Sequence, residues 1–212
     1  MTNSFSKTAS DLALTARSLH ARGWLLGTSG NLSAVVSTKP LRLVITPSGI
    51  DKGELTTDGM LLIDENAKLV GQLNAKPSDE SKLHIAVIKK RQAGAVIHTH
   101  SVWNTILSDL FSSKGGLTIE NYEMLKGLQG VRTHEHEEWL PIIENSQDMD
   151  LLATSIEAVL EKYPTAHGIL VKRHGLYTWG ADLAQAKRHA EILEFLLETV
   201  GRTFELKRHQ AT

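Results

Sequence analysis

The chain contains no cysteine. That excludes disulfides, thiolate metal sites and thiol nucleophiles, and it fits a reducing compartment. It also lacks charge of one sign: 23 Lys and Arg stand against 24 Asp and Glu. No basic field invites nucleic acid, and no block of like charge marks a disordered tail. No apolar run approaches the length of a membrane span. The polar opening Met1-Thr2-Asn3-Ser4 lacks the apolar core of a signal peptide. The expectation is a cytoplasmic protein with neither membrane nor nucleic acid as partner. What is present is ordinary: 41% hydrophobic and 22% charged residues in a chain of 212. That length suffices for one domain, residues 1–212, with a sizeable core. No internal repeat, low-complexity tract or linker interrupts it.

Periodicity along the chain predicts an α/β domain. Leu12, Ala16 and Leu19 fall at helical spacing between Ser6 and Arg22, and Gly23 is a natural stop. Short apolar runs at Leu32–Val36, Leu41–Ile45 and Met60–Ile63 read as strands. Pro77-Ser78-Asp79-Glu80 announces a helix, with Ser78 as cap, two acids in the first turn and Lys89-Lys90-Arg91 in the last. Residues 112–138 look like loops with a short helix. A helix over Asp148–Leu160, strands at Gly168–Val171 and Leu176–Trp179, and a long amphipathic helix from about Asp182 to Leu206 complete the pattern.

The residues with the clearest chemistry close the strand Gly94-Ala95-Val96-Ile97-His98-Thr99-His100. Residues i and i+2 of a strand point to the same face, so His98 and His100 leave it side by side. His174 arrives at the end of another apolar run. Three histidines with an open fourth position describe a catalytic zinc site. The rival cluster His134-Glu135-His136-Glu137-Glu138 has similar spacing but no preceding apolar strand, and reads as a solvated loop. His84 and His189 read as packed or half-exposed helix residues, and Lys52, which could add a charge beside the second loop, reads first as a surface lysine. Gly27-Thr28-Ser29-Gly30-Asn31 and Thr46-Pro47-Ser48-Gly49 could cradle phosphate, or could be plain turns. Glu80 and Glu123 are candidate proton carriers. Taken alone, Glu80 is equally a helix-dipole partner and Glu123 a surface acid.

These pieces, with Lys76-Pro77-Ser78-Asp79-Glu80 and His174-Gly175-Leu176, resemble the class II aldolase/adducin family over nearly the whole chain. The resemblance implies a three-layer α/β/α sandwich around a largely antiparallel sheet. It implies a homo-oligomer, with a tetramer favoured and the active site near a subunit boundary. It further implies one zinc ion per subunit on His98, His100 and His174, with substrate phosphate held by Asn31, Ser48, Gly49 and Ser78. Asp79 stands where sugar-phosphate aldolases of the family tend to carry a second serine. A carboxylate there would repel phosphate, which weakens the aldolase reading and the role of Ser78.

Three stretches, Ser48–Gly53, Tyr122–Gly127 and Pro141–Asp148, are most similar to the branch of the family that dehydrates a methylthio-substituted 1-phosphoketose. There Glu123 would be the catalytic acid/base, with Glu80 at the fourth zinc position and Trp103, Met124 or Leu125 lining a pocket for the apolar tail. Two other readings stay open: a zinc-dependent sugar-phosphate aldolase or epimerase of the same family, and a non-catalytic adducin-like interaction module.

Overall fold

The computed structural model describes residues 3–71 and 76–210. In chain order it holds helix α1 (Asn3–Ala21), strands β1 (Asn31–Thr38), β2 (Leu41–Ile45) and β3 (Leu61–Asp64), helix α2 (Ser81–Arg91) and strand β4 (Ala95–Thr99). Helix α3 (Val102–Leu110), strands β5 (Gly116–Glu120) and β6 (Glu137–Ile143), helix α4 (Met149–Lys162), strands β7 (Gly168–Val171) and β8 (Gly175–Gly180) and helix α5 (Leu183–Gln210) follow. The strands form one sheet in the order β3-β2-β1-β4-β8-β7-β6-β5. Every described pairing is antiparallel except that of β6 with β7.

The two-residue alternation of the strands divides the core into layers. Leu43, Ile45, Val96, Ile169, Val171 and Tyr177 face α2 and α4. Their neighbours Val44, Ala95 and Ile97 face α1 and the start of α5, while Leu170 and Leu176 meet α3 and the rest of α5. The result is the expected three-layer α/β/α sandwich around a largely antiparallel sheet. Strand β4 sits at its centre and is buried on both faces. Each aliphatic side chain so buried contributes roughly 1.5–3 kcal/mol of transfer free energy. The two histidines at its end are thus set on the most firmly held strand of the sheet.

Two local expectations need correcting, and one helix has no counterpart in the sequence pattern. Helix α2 starts at Ser81, so Asp79 and Glu80 precede it and Ser78 is not its cap. The Ser78 hydroxyl instead accepts from the Glu80 N–H at 3.3 Å, and its carbonyl accepts from the Ser81 N–H at 3.0 Å. This tight turn leaves the Glu80 side chain free to face the histidines. Helix α3 follows the histidine strand at once, capped by the Ser101 hydroxyl, which accepts from the Asn104 N–H at 3.1 Å. Within residues 112–138 lies a true strand, β5, whose Leu117 and Ile119 are buried while Thr118 and Glu120 are exposed.

The register assigns an end of the sheet to each segment. His98 pairs with Tyr177, Thr99 with Leu176, Val171 with Gly175, and Ile143 with Val171, so these residues share one end. Glu120 pairs with Glu137, at the opposite end of β6 from Ile143. At about 3.3 Å per residue, the two ends of β6 are ~20 Å apart.

Candidate metal centre

Close packing at the end of β4 sets the histidines. The His98 ring stacks on Tyr177 with centroids 3.9 Å apart and planes 10° from parallel. A Cβ at Gly175 would lie 2.3 Å from the Thr99 carbonyl oxygen and 2.7 Å from His98 Cε1, so only glycine lets β8 pass this close. Gly30, at φ +68°, is confined similarly: a Cβ there would lie 2.7 Å from the His98 carbonyl oxygen. From the other face of the sheet, Thr99 Oγ1 donates to Glu194, which also accepts from Asn104 Nδ2 at 3.0 Å. His174 enters from the turn after β7, where Arg173 adopts φ 53° and the His174 N–H donates to the Val171 carbonyl at 3.0 Å.

One ligand atom from each of His98, His100 and His174 lies within 4.8 Å of the others. His98 Nδ1 donates to the Leu176 carbonyl at 3.0 Å, which leaves its Nε2 as a bare lone pair. That lone pair faces His100 Nε2 at 2.8 Å. Burial drives the pKa of His98 well below its usual value and that of His100 to about 4, so both rings are neutral at pH 7. Converging neutral imidazoles are what a divalent cation requires, and the set fits a three-histidine zinc site.

Glu80 closes the group. Its Oε1 lies 3.1 Å from His174 Nε2 and 3.7 Å from His98 Nε2, and its Oε2 accepts from Asn31 Nδ2 at 2.5 Å. Burial opposes its charge, but the hydrogen bonds from His174 and from the Asn31 amide favour the ionised form, and the carboxyl is held well below the usual range. Asn31 is tied in turn to the fully buried His84, whose Nε2 meets Asn31 Oδ1 and whose Nδ1 lies 2.8 Å from Ser33 Oγ. Ser48, Ser78 and Glu80 line a cleft of about 670 Å³ with Lys76 and Gln147. Gly49 adopts φ +72° at its turn.

Several residues depart from the sequence reading. Lys52 is no surface lysine: it is 1% exposed, and its Nζ donates to the Thr28 carbonyl at 2.7 Å and the Ile50 carbonyl at 2.9 Å. It thereby ties together the two glycine-rich loops. Burial lowers its pKa, against the pull of Asp51 and Glu80. His84 is the packed helix residue its neighbours suggest, but its tie to Asn31, and that of Glu194 to Thr99, are not legible, because the partners lie 53 and 95 residues away in the chain. The segment 134–138 is not wholly a solvated loop. Glu138 is 1% exposed on β6 and accepts from His136 Nε2 at 2.9 Å and His167 Nδ1 at 3.0 Å.

Glu123 is not brought to the histidines. It begins a 3-10 turn, Glu123–Gly127, beyond the far end of β5, with its side chain 74% exposed. It pairs with Lys126 at 2.7 Å and lies 4.0 Å from His134. The bond from Lys126 lowers its pKa. Its neighbour Met124 is exposed, whereas Leu125 is spent in the core and the Trp103 ring packs against Gly201.

Residues 10–200 match the family described as Class II Aldolase and Adducin N-terminal domain. The chain is 39% identical over 196 residues to a methylthioribulose-1-phosphate dehydratase of Sorangium cellulosum, covering 92% of each chain. It is 41% identical over 180 residues to one of Persephonella marina, covering 85% of this chain and 82% of that one. Among solved structures, an L-fuculose 1-phosphate aldolase superposes with a TM-score of 0.76 at 22% identity, over 93% of this chain and 87% of the other. At that identity the likeness speaks for the fold alone.

Proposed function

The chain belongs to the class II aldolase and adducin N-terminal domain family, and from that premise we propose a metal-dependent hydro-lyase. It removes one water from 5-methylthioribulose 1-phosphate to give 2,3-diketo-5-methylthiopentyl 1-phosphate, a step of methionine salvage. Its likeness to dehydratases along nearly the whole chain carries this reading, and the converging imidazoles of His98, His100 and His174 support it. The enzyme is taken to be cytoplasmic and a homotetramer.

One zinc ion per subunit, held by His98, His100 and His174, would supply Lewis-acid polarisation of the C2 carbonyl, making the C3 proton acidic. The chain's own residues do the rest. Ser48, the Gly49 backbone N–H, Asn31 and Ser78 offer donors to the substrate phosphate, with the Lys52 ammonium behind the loops. Glu80, steadied by Asn31, can accept from a substrate hydroxyl beside the histidines. Glu123 moves the proton. The C3 proton and the C4 hydroxyl leave together as water, and the resulting enol takes up a proton at C4 to give the diketone. Since Glu123 stands at the other end of the sheet from the histidines, a neighbouring subunit must supply it.

The test is to incubate metal-loaded protein with 5-methylthioribulose 1-phosphate and follow the product by mass. Loss of one water, abolished by a chelator and by Glu123→Gln, is expected. Cleavage into a three-carbon phosphate and an aldehyde would replace the dehydratase by an aldolase. Protein purified without stoichiometric metal and inert after loading would point to an interaction module.

A further inference from the structure

We propose that His84 is a positioning residue for Glu80, acting through Asn31, with its proton fixed on Nε2. The inference rests on the reading of Glu80 and Asn31 as parts of a working site. Donors and acceptors along the chain of contacts carry it. An ionised carboxylate can only accept, so the Asn31 group facing Glu80 Oε2 must be its NH2. The Asn31 oxygen then faces His84 Nε2, and because an amide oxygen accepts only, Nε2 must carry the hydrogen. His84 Nδ1 is left as an acceptor, and the Ser33 hydroxyl 2.8 Å away donates to it. Every polar atom of the relay is used, and every bond points the same way: Ser33 to His84, His84 to Asn31, Asn31 to Glu80.

The elements explain why this relay is rigid. Asn31 and Ser33 project from one face of β1, two residues apart, and both meet His84 on α2. The turn ahead of the same helix presents Glu80, so β1 and α2 hold both ends of the relay. His84 has no exposure to water, and burial lowers its pKa to about 4, consistent with the neutral ring that the bonding pattern demands. Without His84 the Asn31 oxygen loses its donor, and the amide is held only from its NH2 end, by the Glu80 carboxylate it should itself hold and by Ser78 Oγ at 3.4 Å. A flipped amide would set its oxygen against the Glu80 carboxylate, push that carboxylate away from His174, and withdraw the N–H offered to substrate. The cost therefore falls on turnover, while the metal ligands keep their own supports at Leu176 and Asn145.

Two measurements test this. In uniformly 15N-labelled, zinc-loaded protein, long-range 1H–15N correlation should place the His84 proton on Nε2; a proton on Nδ1 would overturn the proposal. This readout needs neither turnover nor a variant. In the second, His84→Leu should lower kcat by roughly 10–100-fold with zinc content unchanged, as loss of an outer partner does. His84→Gln, which restores an N–H near the Nε2 position, should recover most of it. Placed on an Asn31→Ala background, His84→Leu should cost under about twofold more, since the relay is already cut. Equal losses on both backgrounds, or full activity in His84→Leu, would overturn the role. An Nε2 proton in an unmodified protein that fails to dehydrate the substrate would sink the dehydratase and leave the relay standing.

Discussion

His98 and His167 are both sheltered from water, yet their neighbours drive them in opposite directions. His98 faces other imidazoles and stays neutral, whereas His167 lies against the Glu138 carboxylate, which raises its pKa despite burial. Glu138 responds in kind: burial opposes its charge, but the bonds from His167 and His136 outweigh that and lower its pKa. Arg91 pulls the other way on His167 without reversing the outcome, and the His189 ring, its own pKa lowered to about 4 by burial, stands 5.3 Å away. Stability from Glu138 is complete above its ordinary value of 4.5 and is lost as pH falls through its lower folded value. Stability from His167 is complete below its ordinary 6.5 and fades as pH rises through its higher folded value. The pair should therefore stabilise most between pH 4.5 and 6.5. Glu138→Gln is expected to cost about 3 kcal/mol there, near the lower end for buried pairs because His167 is partly exposed. Urea melts of both proteins from pH 4 to 9 would check this; a difference that grows above pH 8 would refute it. Such pairs are invisible in the sequence, since Glu138 reads as one acid among several until β7 sets His167 beside it. His98 and His100 were legible because a strand's own geometry places i and i+2 together.

At the scale of elements, sequence legibility followed how far each element depends on its neighbours. Strands β1, β2, β7 and β8 carry short, mainly apolar runs bounded by turns and are legible directly. Strand β5 is not, because Gly115 precedes it, Gly116 opens it, and of its other residues only Leu117 and Ile119 are buried. Helix α3 is equally hard to read, although Ser101 caps it, because it follows the apolar strand β4 with only His100 and Ser101 between them. The start of α2 lies three residues beyond Ser78 because that serine spends its hydroxyl on a turn rather than on a cap. The contact of β8 with β4 offers a direct test of how these elements make the metal centre. Gly175→Ala would drive a Cβ to 2.3 Å from the Thr99 carbonyl, a backbone atom that cannot rotate away. The strands must separate, at a cost of about 3 kcal/mol, the upper end for overpacking. His98 would move with them, and zinc should be lost to a chelator at lower concentration than from the unmodified protein. Unchanged zinc retention at full occupancy would show that the close approach does not set the ligands.

The whole molecule poses the question that no single element answers: Glu123, the proposed proton carrier, and the three converging histidines lie at opposite ends of one sheet. A surface for a neighbour is also present. Val102, Ile106 and Leu110 recur every four residues on α3, directly after His100, and all three are exposed. A row of aliphatic side chains left in water beside a candidate active site is what association would cover. If subunits meet so that Glu123 of one reaches the histidines of the next, two defects in different chains should complement. His174→Ala and Glu123→Gln are each expected to be inactive as pure assemblies. Mixed by subunit exchange, they should regain activity, because some boundaries then pair an intact histidine set with an intact glutamate. Ile106→Asp should break the assembly, measured by light scattering, and abolish turnover while the separated subunits still bind zinc. Inactive mixtures that demonstrably exchange subunits would mean that Glu123 does not act across a boundary. Proton transfer would then fall to a group at the histidine end of the sheet, where Glu80 is the carboxylate already in place.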